Sequence, residues 1–204
     1  MPWKPHVIKN DRMVLVEGVD DYEFISRFLK HLEIKNVDVV PVEGKDSKLE
    51  ESLVALSKQR SFRNINKIAL VFDADNQRRQ ALREIKNALA AININSSGNI
   101  GWENINGKEL GIFLFPNNND NGKLEDLFLD ATQSDPIYSC VNDYIDCLDK
   151  KGANPRNLSK ARVQTYLASK PKHTPSLTKA AQDGHWPMDS TAISDLKTFL
   201  EVFK

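Results

Sequence analysis

Asp73 and Asp75 stand two residues apart at the end of the apolar run Ile68–Phe72, in the stretch KIALVFDADNQ. Along an extended chain alternate side chains share a face, so the two acids are expected to point the same way, roughly 6–7 Å apart. Carboxylates so placed do one of two things. They cap the turn that follows, or they hold a cation, sharing one divalent ion or bridging two about 4 Å apart. Hard oxygen donors favour Mg²⁺ or Mn²⁺. A third acid, Glu17, ends another apolar run in MVLVEG. Gly18 behind it either takes a positive φ or lets a phosphate approach closely. Glu43 ends the similar VPVEG, so two glutamates compete for the third place.

Such acids act together only if a scaffold gathers the strand ends. Met13–Gly18 reads as a strand, and DDYEFISRFLKHLEI as a helix that Asp20 or Asp21 can cap. Val37–Val42 is a second strand, placed at an edge by Pro41. DSKLEESLVALSKQR, KIALVFDAD, NQRRQALREIKNALAAI, LGIFLFP and LEDLFLDAT continue the alternation of helix and strand. The order predicts an α/β fold with a mostly parallel, four-stranded, Rossmann-like sheet and helices on both faces. The strands are nearly all apolar, as strands covered on both sides are.

From about Ser134 only helices follow. Residues 1–130 are expected to form the α/β core. Residues 131–204 are expected to be a helical extension packed on it, being too short for a core of their own. Ligands of such sheets bind beyond the carboxyl ends of the strands. A strand order of 2-1-3-4 sets Glu17 beside the Asp pair and Glu43 on the far side, which favours Glu17.

Lysine plus arginine equals aspartate plus glutamate at 28 each, so no net field attracts a polyanion and any contact must be local. Two stretches qualify. Arg79, Arg83 and Lys86 recur at helical spacing after the Asp pair, with Arg78 beside them, and form either a phosphate-binding stripe or a solvated helix face. Lys150–His173 carries seven lysines and arginines and no acid. Tyr166 within it is a stacking face or, from its spacing to Val163 and Leu167, part of the core.

Cys140 and Cys147 fall on one helix roughly 10 Å apart, too far for a disulfide, and are expected to be buried free thiols. None of the four histidines has zinc-ligand spacing to them. The first residues lack the apolar core of a signal peptide, and no run nears the roughly 18 residues of a membrane span. A soluble, cytoplasmic protein without membrane contact is expected. With no Walker A loop, any use of ATP requires a partner ATPase.

VLVEGVDD together with ALVFDAD resembles the Toprim domain of topoisomerases, bacterial primases, overcoming-lysogenization-defect (OLD) nucleases and small repair proteins. FPNNNDNGKLEDLFL, KARVQTYLASKP and GHWPMDSTAISDLKTFL resemble a family of small, largely uncharacterised bacterial and archaeal Toprim-like proteins related to the OLD nucleases. The resemblance implies Mg²⁺-dependent phosphodiester chemistry on nucleic acid. Glu17 would be the general acid or base, with Asp73 and Asp75 as metal ligands. It aligns Gly122, Leu124, Glu125 and Asp126 with a Gly-x-Leu-Glu-Asp stretch, whose acids either extend the metal site or open a helix and complement its dipole. Many Toprim proteins have glycine where this chain has Arg78. Two other readings stay open. One is a non-catalytic Toprim-like module that binds nucleic acid or a partner. The other is a haloacid-dehalogenase-like phosphatase, whose Asp-x-Asp usually continues with Gly-Thr where this chain has Asn76-Gln77.

Overall fold

The computed structural model describes residues 7–42 and 47–204. In chain order it contains β1 (Arg12–Val16), α1 (Val19–His31), β2 (Asp38–Pro41), α2 (Ser47–Ser57), β3 (Lys67–Asp73), α3 (Arg78–Ala90), β4 (Gly101–Ile105) and β5 (Lys108–Phe115). Five helices follow: α4 (Leu124–Thr132), α5 (Tyr138–Lys150), α6 (Leu158–Ala168), α7 (Leu177–Gln182) and α8 (Ser194–Glu201). Glu43, the competing glutamate, lies outside the described residues.

The strands form one sheet in the order β2-β1-β3-β5-β4. Pairings are parallel except that of β4 with β5. The mostly parallel sheet with helices on both faces is thus as expected, with one strand more than the four foreseen. β4 reads GWENI, has no apolar run and is only partly buried, so its sequence gives no strand signal. It is made a strand by the turn Asn106-Gly107, whose φ values of +53° and +82° suit a tight antiparallel hairpin. Pro41 sits on β2 at the other edge, where a missing N–H donor is harmless.

The core follows the period-two pleat. Val14 and Val16 of β1, Ala69 and Val71 of β3, and Phe113 and Phe115 of β5 face one way. There they join apolar residues of α1 and α4–α8. Met13 and Leu15, Ile68, Leu70 and Phe72, and Leu110, Ile112 and Leu114 face the other way, onto α2 and α3. On the first face Phe24 stacks on Trp186 with ring centres 4.0 Å apart, and Phe128 meets the same indole edge-on at 4.8 Å.

Helix α8 lies over Gly111 of β5, where an added Cβ would stand 2.8 Å from Phe199 Cζ. The last carbonyls of this helical end accept from three strands. Trp102 Nε1 of β4 donates to Phe199 O at 3.0 Å, Lys67 Nζ of β3 to Val202 O at 2.5 Å, and the Arg12 guanidinium of β1 to Phe203 O.

Cys140 and Cys147 are free but exposed, contrary to the expected burial. Val141 and Ile145 are the α5 residues turned inward, and the thiols fall on another face of the same helix. Among the described residues, no helix is long and apolar enough to cross a membrane.

Candidate functional site

The strand order creates a crevice. From β1 the chain runs through α1 to β2, and from β3 through α3 towards β5, on opposite faces of the sheet. The carboxyl ends of adjacent β1 and β3 therefore open between α1 and α3, the switch point at which such sheets take ligands. Val16 pairs in register with Val71, so Glu17, one residue on, and Asp73, two residues on, leave the sheet at neighbouring strand ends. Two clefts meet there, of 420 and 400 Å³, and Glu17 and Lys123 line both. Asp75 lines the first and Asp73, Asp21 and Glu125 the second.

Simple alternation does not place Asp75. The strand ends at Asp73, and Asp75 turns with φ +49°, a left-handed value that aspartate tolerates better than most residues. The turn is held by the asparagine tract that follows β5. Asp75 N–H donates to Gly122 O at 2.8 Å, and Asn121 accepts from Arg78 N–H at 3.0 Å and donates to Asn76 O at 2.9 Å. Arg78 is part of this strap, since its guanidinium donates to Asn118 O at 2.5 Å. One turn of backbone further on, Leu124 N–H donates to Asp73 Oδ1 at 3.0 Å, and Lys123 Nζ lies 2.7 Å from Asp75 Oδ1. The hydrogen bond it donates to Asp75 holds the Lys123 ammonium above its ordinary pKa, and the charges of Asp75, Asp73 and Glu125 add to this.

Asp21 is the most perturbed group of the site. Gly18 N–H donates to its Oδ2 at 2.9 Å, which closes the first turn of α1. Its carboxyl is 8% exposed, and burial, with the Glu17 charge second, pushes its pKa up to about 7. Asp20 serves a different helix. Its Oδ1 accepts from Thr178 N at 2.6 Å and Thr178 Oγ1 at 2.5 Å, docking α7 so that Leu177 walls the second cleft.

Gly18 lines the second cleft, but its φ of −141° is extended backbone, so no positive φ explains it. Several other expected site residues fall elsewhere. Gln77, Gln80, Ala81 and Glu84 line the first cleft. At 100° per residue, Arg79, Arg83 and Lys86 lie on the opposite side of α3, where they are exposed. This is the solvated-face alternative, and it corrects their placement over the carboxylates. Asp126 is also withdrawn from the cleft. Its Oδ2 accepts from Lys123 N–H at 2.8 Å as the N-terminal cap of α4, and its Oδ1 accepts from Ser159 Oγ at 2.5 Å. Of the two acids in that stretch, only Glu125 reaches the cleft.

From the sequence Lys123 has no signal as a site residue, and Asp21 has one only as a cap of α1, the role its bond from Gly18 N–H fulfils.

The donor set facing the clefts is carboxylate oxygen with one ammonium, the chemistry of Mg²⁺ or Mn²⁺ rather than zinc. Among the described residues, no three acidic, imidazole or thiol side chains already converge to hold an ion. The Lys123–Asp75 contact is a physical reason, because it draws one carboxylate towards an internal cation.

No curated protein matches the chain. Among solved structures it is similar to the C-terminal region of the Burkholderia pseudomallei OLD protein, at 15% identity and a TM-score of 0.49, over 96% of this chain and 100% of that one. It is likewise similar to the C-terminal region of the Xanthomonas campestris pv. campestris OLD protein, at 16% identity and a TM-score of 0.48, over 97% of each chain. At those values neither fold detail nor activity transfers between the chains. Residues 11–203 match the model of a protein family of unknown function, DUF3226, and the chain belongs to that family.

Proposed function

We propose that the protein is a Toprim-like, Mg²⁺- or Mn²⁺-dependent nuclease or phosphotransferase that acts on nucleic-acid phosphodiesters. One observation carries the reading: Glu17, Asp73 and Asp75 leave adjacent parallel strands at the switch point of the sheet and line two clefts that meet at Glu17 and Lys123. On this reading Asp73, Asp75 and Glu17 hold the ion, with Glu125 within the same wall. What a bound divalent cation supplies is Lewis-acid stabilisation of charge on a phosphoryl oxygen. The chain's own residues do the rest. Lys123 releases Asp75 and offers its ammonium to the phosphate, where a positioned cation stabilises developing charge. Glu17 takes or gives the proton at the attacking or leaving oxygen. The asparagine strap keeps the Asp75 turn aimed, and Leu177 excludes water from one side.

The test is cleavage of end-labelled single-stranded DNA, duplex DNA and RNA, with Mg²⁺ or Mn²⁺ and with chelator, by wild type and Asp73→Ala. Cleavage that needs the metal and disappears in the variant supports the reading. Cleavage that survives Asp73→Ala would falsify it.

A second reading has its own observation. Lys123 sits 2.7 Å from Asp75, a tethered cation where a metal would otherwise go. A non-catalytic module that binds nucleic acid or a partner ATPase would look like this. Under it, wild type cleaves nothing, and Lys123→Met gains Mn²⁺ binding that wild type lacks.

A further inference from the structure

We propose that Lys151, Arg156 and Lys160, on the segment that enters α6, bind the sugar-phosphate backbone of a nucleic acid alongside the carboxylate clefts. The inference rests on the reading of those clefts for its purpose, but it is tested by binding alone.

The segment Lys150–His173 is free of acids in a chain of zero net charge. Its inner members already have partners. Lys170 pairs with Asp135 at 3.3 Å, Lys172 pairs with Asp183 at 3.0 Å, and Arg162 donates to Asn142 Oδ1 at 3.0 Å. Lys151, Arg156 and Lys160 are exposed and, among the described residues, make no ion pair. Lys150 is set aside because it closes α5 one turn after Asp146. Three unneutralised cations in a row, with no carboxylate between them, suit a regular anion.

Their location suits it too. Ser159, next to Lys160, donates to Asp126 Oδ1, while Asp126 Oδ2 accepts from Lys123 N–H. The following peptide N–H, that of Leu124, donates to Asp73 Oδ1. The cationic segment is thus fixed to the cleft wall by a short chain of hydrogen bonds. A nucleic-acid strand carries a charge about every 3.4 Å along its axis, so a phosphate at the cleft has neighbours that these side chains can meet. The α3 stripe of Arg79, Arg83 and Lys86 lies on the side of its helix opposite the cleft lining and cannot serve the same strand. Tyr166 offers no stacking face, being 3% exposed with its hydroxyl donating to Asp135 Oδ2 at 2.6 Å. Recognition here is therefore through phosphates, with steep salt dependence and little preference for base sequence.

The experiment is fluorescence anisotropy of the full chain with labelled single-stranded and duplex oligonucleotides of about 20 residues, in chelator, over a salt series from about 50 to 200 mM. Lys151→Glu/Arg156→Glu/Lys160→Glu is expected to weaken binding at least tenfold at the lowest salt. It should also flatten the slope of log K against log salt by about 2–3, three contacts at 0.7–0.9 each. Arg79→Glu/Arg83→Glu/Lys86→Glu should change affinity less than threefold. Asp73→Ala should still bind, so loss of cleavage with retained binding separates the two readings. If the triple variant is misfolded by circular dichroism, the single variants Arg156→Ala and Lys160→Ala are expected to lose about two- to threefold each with the slope falling in step. The proposal is overturned by absence of binding, by equal losses in the α6 and α3 variants, or by polyglutamate competing as well as an oligonucleotide.

Discussion

Replacing Gly122 by alanine tests the strap that aims Asp75. Gly122 has φ +147°, and an added Cβ would lie 2.8 Å from Asp126 Oδ2 and 3.0 Å from Pro116 Cδ. Two costs combine. Forcing an L side chain into that backbone region costs about 1–3 kcal/mol. Pushing Asp126 aside weakens the α4 cap it forms with Lys123 N–H, worth about 1 kcal/mol, together with its bond from Ser159. The expected loss is about 2–4 kcal/mol, or about 1–2 M in the urea midpoint. Gly107→Ala is the matched control. It too has a positive φ, +82°, but nothing lies within 4 Å of its added Cβ, so only backbone strain of about 1–2 kcal/mol applies. Urea unfolding of both variants followed by circular dichroism measures the difference. Equal midpoints would refute the crowding argument and with it the claim that Gly122 is reserved for the approach of Asp126.

Asp21→Asn should alter the pH dependence of stability in metal-free buffer. The folded-state pKa, about 7, lies above the ordinary 3.8, so the wild type loses stability as pH rises from about 4 to 7, by at most about 4 kcal/mol. The variant should unfold later than wild type at pH 8 and much like it at pH 3.5, and a parallel pair of pH profiles would rule out the burial argument. Lys123→Met removes an ion pair whose side chains are 39% and 38% exposed, so thermal stability should fall by less than about 1 kcal/mol. A larger loss would mean that the lysine is chiefly structural. Asn121→Ala deletes bonds to Arg78 and Asn76 and should cost about 1–2 kcal/mol. It should also lower any metal-dependent cleavage, and unaltered cleavage would show that the strap does not aim Asp75. Gly111→Ala drives a Cβ against Phe199 and Trp102 and should cost about 1–3 kcal/mol by calorimetry. A neutral result would mean that α8 floats on the sheet.

How much of this was legible follows from what sequence periodicity can carry. Runs such as Ile68–Phe72 mark buried parallel strands, and their alternation with amphipathic segments implies the crossovers and hence the neighbouring ends of β1 and β3. Local spacing then fails wherever the backbone leaves its regular geometry. Asp75 sits in a left-handed turn that a two-residue repeat cannot anticipate. The α3 cations keep a helical stripe, but which way it faces depends on where Ala81 and Ile85 pack. The asparagine tract has neither a strand nor a helix period. Its Asn118 closes a local turn onto the Leu114 backbone, but its Asn121 fastens Arg78 and Asn76, long-range contacts with no local pattern. Cys140 and Cys147 share a face as their spacing requires, but spacing does not say whether that face is covered.

The contacts of α8 bear on how the chain is made. The strands that present Phe113 and Phe115 are complete at residue 115, whereas Phe199 and the carbonyls that receive Trp102, Lys67 and Arg12 emerge from the ribosome about 80 residues later, roughly 4–16 s at ordinary rates of synthesis. During that interval one side of the sheet has only α1 and whatever has emerged of α4–α7 to cover it. A nascent chain that has emerged only to about residue 185 should therefore be held by chaperones and cut by proteases, and both should cease once α8 is out.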